Sequence, residues 1–322
     1  MKNETYPLST LLDAIFQDEE VSIPLLYRLS DLSAEDIERF WQRWPDVAAE
    51  RRRVIARHMA DIAEEDYVVD FVPYFKHFLQ DETVPVKLAA LEGIWDATDT
   101  TLVAPIIQMM QTDESVEVRT AAAAALAHYV LMSEWGQLSP HVTPRIVTAL
   151  LAVYEGEDTT VSVKRAALEA MSPANDPRIP QLIEEAYQSR LPEVRLSAVF
   201  AMGSNADTRW MPTILQELTS PDPEMRAEAA RAAGFIGSSD AVELLAELTQ
   251  EDDTDIALVA VTSLGQIGSE EARDILTALL EDDEYEALHE AIEEALEELM
   301  WMSHEMELLH VEDEEDEDQV IT

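Results

Sequence analysis

A 31-residue internal repeat constrains the fold of this chain more than any other feature. The segment PEVRLSAVFAMG begins at Pro192, and it returns as PEMRAEAARAAG at Pro223 and as TDIALVAVTSLG at Thr254. Repetition at this period, in units of a helix, a short turn and a second helix, is typical of stacked helical repeats that bury a shared core between neighbours. The sequence therefore predicts an all-α fold, an α-solenoid built from helical hairpins.

The copies align on an apolar marker residue near the start of each second helix. The markers are Val86, Val118, Val163, Val194, Met225, Ile256 and Ala287. Alanine stands four residues after every marker, at Ala90, Ala122, Ala167, Ala198, Ala229, Ala260 and Ala291. The marker, the alanine and the residue a further turn along share one face of a helix. We predict that they form a buried stripe, in which close packing leaves room for no more than a methyl group at the alanine.

Charged residues recur with the marker. A base follows it in five copies, at Lys87, Arg119, Lys164, Arg195 and Arg226. Six residues before each base stand Asp81, Asp113, Asp158, Ser189 and Ser220. An acid just ahead of a helix is suited to cap free amides, and the base can reach that acid or its neighbour's. We expect a ladder of ion pairs, each worth about 0.2 to 1 kcal/mol where exposed. The last two copies lose it, with Glu251 and Ala257, then Asp282 and Leu288.

The pattern D-x-x-x-x-V-R/K-x-x-A-A-x-x-A-L/M resembles the HEAT repeat. Its 31-residue period is similar to the short HEAT-like repeats of phycobilin lyase subunits. The resemblance covers about Asp81 to Glu298, and a more diverged copy is expected before it. It implies a superhelix of about seven to eight HEAT-like hairpins whose second helices line the concave face. Proteins with such repeats serve as scaffolds, adaptors, enzyme subunits and, rarely, enzymes.

Three segments follow from this alignment. Residues 1–45 do not match the repeat, and we interpret them as a helical cap over the open end of the stack. The alternative is a docking surface built on Trp41 and Trp44. Residues 46–309 are the HEAT-like solenoid, and its copy at residues 46–82 is read as a helix, a turn and a second helix. Residues 310–322, with the run EDEEDED, are predicted to be a disordered acidic tail.

One copy is longer than the others because of extra residues near Val130 to Val142. An insertion in a solenoid forms a loop or lengthens the helices. Trp135, with Gly136 and Pro140 nearby, is predicted to lie in a turn and to fold its indole back onto the stack. Ligand contact by Trp135 is the alternative.

Positions two and six after the marker are predicted to point away from the core into the concave groove. The candidate partner contacts there are Leu88, Glu92, Arg165, Glu169, Leu196, Phe200, Arg231 and Leu258. Leu196, Phe200 and Leu258 indicate an apolar patch flanked by charge, which is common at interaction sites. The same three side chains also fit a second role, packing sideways against adjacent repeats.

The net charge of the chain favours some classes of ligand over others. There are 67 acidic and 21 basic residues, which give a formal net charge of −46. Nucleic-acid binding depends on basic contacts to phosphate, so this field disfavours DNA or RNA as a ligand. The acidity fits a basic partner protein that is approached by electrostatic steering. It also fits a role in solubility or a salty cytoplasm, and both interpretations stay open at this stage.

Composition also bears on compartment. The chain has no cysteine, which removes disulfides and thiolate chemistry. The longest apolar run, Ala121 to Ala127, is too short to span a bilayer. The start MKNETYPLST has no apolar segment of signal length. We therefore expect a cytoplasmic protein.

Histidines paired with carboxylates are the candidate metal ligands. Glu286-x-x-His289 and Glu307-x-x-His310 have the spacing of di-iron carboxylate ligands. His289-Glu290 also looks like the His-Glu dyads of the HEAT-repeat deoxyhypusine hydroxylase, a resemblance that implies four dyads on facing repeats. The matching positions in the other copies hold no such dyad, and His304-Glu305 falls outside the repeat phase.

We therefore predict no metal, no cofactor and no enzymatic activity. The expected function is a scaffold or adaptor that binds a partner protein on its concave face. The alternative is an enzyme or enzyme subunit, either lyase-like or metal-dependent.

Overall fold

A computed structural model describes residues 7–300, and every regular element in that range is a helix. The α-helices are α1 Leu8–Gln17, α2 Ile23–Tyr27, α3 Ala34–Arg43, α4 Ala49–Glu65, α5 Val72–Phe78, α6 Val84–Gly93, α7 Val103–Thr112, α8 Val116–Glu134, α9 Val142–Glu155, α10 Val161–Met171, α11 Ile179–Tyr187, α12 Pro192–Asn205, α13 Met211–Glu217, α14 Pro223–Ile236, α15 Val242–Leu248, α16 Thr254–Ile267 and α17 Glu270–Leu280. A last helix, α18, covers residues 289–300. The predicted acidic tail lies outside the described residues.

The chain divides into two compact units, one up to Ala174 and one from Asn175. In the first unit the second helices of successive hairpins, α4, α6, α8 and α10, pack on one another. In the second unit α12, α14, α16 and α18 do the same. From α5 to α16, each second helix also packs on the first helix of its own hairpin. This arrangement is the α-solenoid that the repeat predicted.

The alanine stripe is buried as predicted. Six of the alanines, Ala90, Ala122, Ala167, Ala198, Ala229 and Ala260, are buried, and Ala291 is half-buried. At the marker position, however, Val194 is half-buried and Ala287 is exposed. Ala287 lies in the 3-10 helix Asp283–Leu288, in which Tyr285 departs from helical backbone angles. This turn shifts the register of the last copy by one residue, so that Leu288 is buried in place of Ala287.

Glycine has two separate roles in the second unit. Gly237 and Gly268 end α14 and α16 in the left-handed conformation, with φ of 70° and 67°. Glycine is favoured there because it lacks a Cβ. Gly203, Gly234 and Gly265 instead lie inside α12, α14 and α16 and are buried.

These internal glycines allow the second helices to approach closely. A Cβ on Gly203 would lie 2.5 Å from Ala232 Cα, and one on Gly265 would lie 2.8 Å from Ala295 Cβ. Gly234 and Gly265 are therefore packing positions inside their helices and not helix ends. They stand at one position of the repeat, nine residues after the marker.

The N-terminal repeat has a different phase from the one predicted. Helix α4 packs against α6, as one second helix packs on the next, and α5 packs on α6 as its first helix. Residues 46–82 are therefore not one hairpin, because α4 takes the place of a second helix and α5 that of a first helix. The sequence carries a signal for this in Asp46 and Arg52, an acid six residues before a base. The signal was missed because Ile55 stands where the other copies have alanine.

The N-terminal helices surround an aromatic cluster. Ser33 caps α3 by accepting the Asp36 amide at 3.2 Å. Trp44 is buried, and its ring stacks 5.3 Å from that of Phe40. Trp41 is half-buried and stacks on His77 with 4.1 Å between ring centroids. Because Trp44 is not accessible, it contributes nothing to the alternative docking surface.

The insertion lengthens α8, which runs for 19 residues where α12, α14 and α16 have 14. After α8, Gly136 turns the chain with φ of 72°. The predicted packing of Trp135 on the stack is wrong, because this residue is 68% exposed.

Candidate interaction surfaces

Ion pairs link successive hairpins within each unit. Lys87 Nζ lies 2.5 Å from Asp113 Oδ2, the acid of the next hairpin. Arg226 makes the equivalent contact, with two nitrogens each 2.7 Å from a carboxylate oxygen of Glu251. The predicted ladder is confirmed at these positions. The expectation that it is lost at Glu251 is wrong, because Glu251 pairs with the base of the preceding hairpin.

The same bases also hold the turn ahead of their own helix. Arg119 donates to the carbonyl of Asp113 at 2.6 Å, Arg195 to that of Ser189 at 3.3 Å, and Arg226 to that of Ser220 at 2.9 Å. The acceptor is backbone, so this contact survives where serine replaces the acid. The spacing of six residues between this turn residue and the base, repeated in several copies, therefore reflects a structural role.

Asp81 is the most buried member of the ladder. Its Oδ2 accepts from Arg52 at 2.8 Å and from the Trp44 indole at 2.9 Å, and its Oδ1 accepts from the Thr83 amide at 2.8 Å. Burial opposes ionisation, but the hydrogen bonds from Thr83 and Trp44 and the charge of Arg52 outweigh it. Together they hold the pKa of the Asp81 carboxyl below its usual value.

The predicted contact residues of the first unit are partly buried or paired with other residues of the chain. Leu88 is half-buried. Glu92 is exposed and pairs with Arg57 of α4. Arg165 and Glu169 are half-buried neighbours on α10, with 3.9 Å between the guanidinium and the carboxylate. The first unit thus presents mainly paired charge at these positions.

In the second unit the predicted apolar residues Leu196, Phe200 and Leu258 are all half-buried. Helix α14 lies between the helices that carry them, and its exposed Arg231 contacts Glu228 at 3.3 Å. One turn after Arg231, Phe235 is 54% exposed. Phe235 was missed because only two positions of each repeat were considered to face outward.

A second group of exposed apolar side chains was also missed. Tyr67 and Val68, in the turn after α4, are 76% and 90% exposed, and Trp95, just after α6, is 43% exposed. The rings of Tyr67 and Trp95 meet edge to face with centroids 6.0 Å apart. We call Tyr67, Val68 and Trp95 the aromatic patch. The sequence holds no repeat signal for it, because Tyr67 lies in a turn.

The structure also places one of the candidate metal ligands. His289 Nε2 lies 3.3 Å from the backbone oxygen of Asp282, and Glu286 is exposed. Within residues 7–300, no three His, Asp or Glu side chains converge in a way that would hold a metal ion. His304, Glu305, Glu307 and His310 lie outside the described residues.

A groove of about 610 Å³ separates the α5–α6 and α7–α8 hairpins. Asp81, Lys87 and Asp113 are among its lining residues. These charged groups already pair with one another or with Arg52, so the groove walls belong to the ladder.

Comparison with known proteins identifies the repeat type in the second unit. Residues 179–259 and 211–297 match the family model for HEAT repeats. These ranges contain the helices from α11 to most of α18, where the 31-residue repeat is clearest. Residues 179–297 therefore carry HEAT repeats, as the sequence pattern predicted. No curated protein sequence matches the chain.

Several solved structures resemble this chain at low sequence identity. YibA of Escherichia coli is 18% identical, with a TM-score of 0.46, over 88% of this chain and 99% of its own. Kap95p, solved with RanGDP, is 14% identical, with a TM-score of 0.44, over 93% of this chain and 41% of its own. Human deoxyhypusine hydroxylase in complex with glycerol is 14% identical, with a TM-score of 0.35, over 91% and 96%. Such low scores support no conclusion about function.

None of the helices between residues 7 and 300 combines the length and the hydropathy that a membrane span requires.

Proposed function

We propose that this protein is a non-enzymatic scaffold or adaptor that binds a basic partner protein in the cytoplasm. The binding surface is the outward face of the second helices in the second unit, centred on Phe235. The exposure of this large aromatic side chain in the middle of a row of HEAT repeats is the observation that carries the proposal. Exposed aromatic residues rimmed by charge are common at protein interfaces.

The charge of the chain supports a basic partner. Residues 281–322 contain 19 acidic residues and no lysine or arginine. Arg226 and Arg231 on α14 contact the chain's own acids, Glu251 and Glu228. The field around this unit is therefore negative, and it would raise the rate at which a basic protein arrives.

Affinity capture followed by mass spectrometry tests the proposal. The full chain is immobilised and exposed to lysate of the source cells, and a Phe235→Asp variant is treated in parallel. We expect a stoichiometric basic protein to be retained by the original chain, released by salt, and lost at least tenfold from the variant. A Trp135→Asp variant is the matched control, because Trp135 is also an exposed aromatic residue but lies in the first unit.

Two results would contradict the proposal. One is retention of no protein, or of an acidic one, by the original chain. The other is equal retention by the Phe235→Asp variant. Leu196→Asp with Phe200→Asp extends the test, because unchanged helical circular dichroism with lost capture assigns these residues to the interface. Unfolding of that double variant would assign them to the core.

A further inference from the structure

The turn that carries Tyr67 and Val68 is held by its own hydrogen bonds. Asp66 Oδ1 accepts the Val68 amide at 3.0 Å, and the Val69 amide donates to the Asp66 carbonyl at 3.3 Å. Just beyond, the Asp70 amide donates to Ser30 Oγ at 2.8 Å. The two exposed side chains are thus presented by a fixed turn.

Trp95 stands at the position of the repeat that holds glycine in the second unit, nine residues after the marker. Gly203 lies inside α12, whereas Trp95 follows the end of α6 at Gly93. The Trp95 ring lies at the surface against Tyr67, and both rings keep accessible area despite their contact.

Acids outnumber bases around the aromatic patch, and two nearby bases are paired with acids of the chain, Arg57 with Glu92 and Lys76 with Asp99. Residues 58–75 and 88–118, which contain the patch, have no lysine or arginine. Glu64, Glu65 and Asp96, close to the patch in sequence, are exposed. The C-terminal end of α4 adds the partial negative charge of its free carbonyls. The patch therefore combines open aromatic surface with a negative field.

We propose that the aromatic patch binds a short segment of a partner protein in which arginine stands beside an apolar residue. A guanidinium group stacks on aromatic faces and pairs with carboxylates, so Tyr67, Trp95 and the nearby acids match it. Val68 supplies apolar contact for the neighbouring residue. This inference rests on the proposed function only in taking the ligand to be part of a protein, and it assigns that protein a second contact on the first unit.

Calorimetric titration of the full chain with a peptide that alternates leucine and arginine tests the charge requirement. A second peptide carries citrulline, a neutral residue of nearly the same shape, in place of every arginine. We expect the arginine peptide to bind at least tenfold more tightly. Equal binding of the two peptides, or no binding of the arginine peptide, would overturn the inference.

Variants test the location, because an acidic chain attracts any cationic peptide. Tyr67→Ala and Trp95→Ala are each expected to weaken binding of the arginine peptide about fivefold, the range expected for loss of one exposed cation–π contact. Trp135→Ala, which removes an exposed indole elsewhere in the first unit, is expected to change nothing. An equal effect of all three substitutions, or no effect of the first two, contradicts the assignment.

Two further measurements keep the result clear. Thermal unfolding shows whether Trp95→Ala disturbs the fold, and in that event the more exposed Tyr67 decides the location. The Phe235→Asp variant is expected to bind the arginine peptide unchanged. If it alone loses the peptide, the patch is excluded while the proposed scaffold function stands. If partner capture fails while peptide binding to the original chain is intact, the proposed scaffold function is excluded and the assignment of the patch stands.

Discussion

At the scale of single residues, Ala206 stands at a repeat position where the next two copies have glycine. It ends α12 with φ of 53°, at the position where Gly237 and Gly268 end the next two second helices. A left-handed backbone costs a residue with a Cβ about 1 to 2 kcal/mol. Glycine avoids that cost, although it loses about 0.5 to 1 kcal/mol more conformational entropy on folding. The strain is the larger of the two effects.

We therefore predict that Ala206→Gly stabilises the protein by about 0.5 kcal/mol. Gly237→Ala is the matched reverse change, because a Cβ there would meet no atom within 4 Å and only the backbone angle matters. It is expected to destabilise by about 0.5 to 1 kcal/mol. Urea unfolding measures both changes. A destabilising Ala206→Gly would show that strain at this position is not the controlling factor.

Asp81 provides a second prediction at this scale. Asp81→Ala removes one of the two carboxylates that pair with buried Arg52, leaving Glu82, and it leaves the Trp44 indole without an acceptor. We expect a loss of about 3 kcal/mol, the low end for a broken buried pair. Asp158 stands at the equivalent position of another copy but is exposed. Asp158→Ala should cost less than about 0.5 kcal/mol in urea unfolding. Similar losses for the two variants would contradict the importance of burial.

Acid should weaken the fold through two lowered pKa values. The hydrogen bond from Lys76, helped by that from Thr101, lowers the pKa of Asp99 to about 2, and the pKa of Asp81 is also lowered. An unfolded aspartate titrates near about 3.9, so the stabilisation is complete above that pH and is lost as the pH falls toward 2. Asp99→Asn should lose less stability than the original chain between pH 5 and 2.5. Equal losses in urea titrations would contradict this.

The sequence predicted the residues of the ladder better than their partners. The spacing of Asp113 and Lys87 from their markers identified both, and each lies where expected. Which acid each base reaches depends on how far one hairpin is displaced from the next. A residue pattern within one copy does not contain that displacement, and Glu251 was misjudged for this reason.

At the scale of elements, the glycine column sets how closely second helices approach in the second unit. Gly203 faces the backbone of Ala232, whereas Gly234 faces Ser263 and the movable end of Gln266. A backbone atom cannot move aside as a flexible side chain can. The two sites therefore differ in how well they tolerate a methyl group.

We predict that Gly203→Ala destabilises the protein by about 1 to 3 kcal/mol, despite the better helix propensity of alanine. Gly234→Ala should cost less. Ser204→Ala, the next residue on α12, is the control and should be neutral or slightly stabilising. Urea unfolding of the three variants provides the comparison. A neutral Gly203→Ala would show that α12 and α14 separate at little cost.

Most helices were predictable because their boundaries follow local chemistry. Ser33 caps α3, and apolar spacing defines α12, α14 and α16. The phase of α4 was not predictable from the marker pattern, because Ile55 replaces the alanine and Arg51 replaces the apolar marker. Arg51 reaches the carbonyls of Ala14 and Ile15 instead, which only the folded N-terminal helices bring within range.

At the scale of the whole molecule, net charge opposes compactness. With 67 acids against 21 bases, the chain repels itself, and the observed ion pairs neutralise a small part of that charge. Salt screens such repulsion over a Debye length of about 8 Å at physiological ionic strength. Screening should therefore favour the folded state.

We predict that the melting temperature rises when sodium chloride is increased from about 0.01 to 0.5 M, where the Debye length falls from about 30 Å to a few ångströms. Each kcal/mol gained corresponds to roughly 2 to 4 °C in proteins of this size class. Potassium chloride at equal ionic strength is the control, because screening depends on ionic strength and not on the identity of the salt. A melting temperature that falls with salt would show that the ladder outweighs the general repulsion.

The candidate sites were less predictable than the fold. Buried positions follow a helical period, so the stripe from Ala90 to Ala260 was correctly identified. The exposure of side chains follows no such period. Phe235, Tyr67 and Trp95 are exposed because of the spacing between helices and the position of a turn. A single sequence records these features only after the packing is known.

The glycine column also has a consequence for how such a chain changes over generations. Gly203, Gly234 and Gly265 give three successive hairpins matching contact surfaces, each accepting the helix of the hairpin that follows. A tandem duplication of one hairpin between α12 and α16 would place the same glycine contact surface at both new junctions. This region can therefore gain or lose whole hairpins during evolution, because the new junction needs no new core residues.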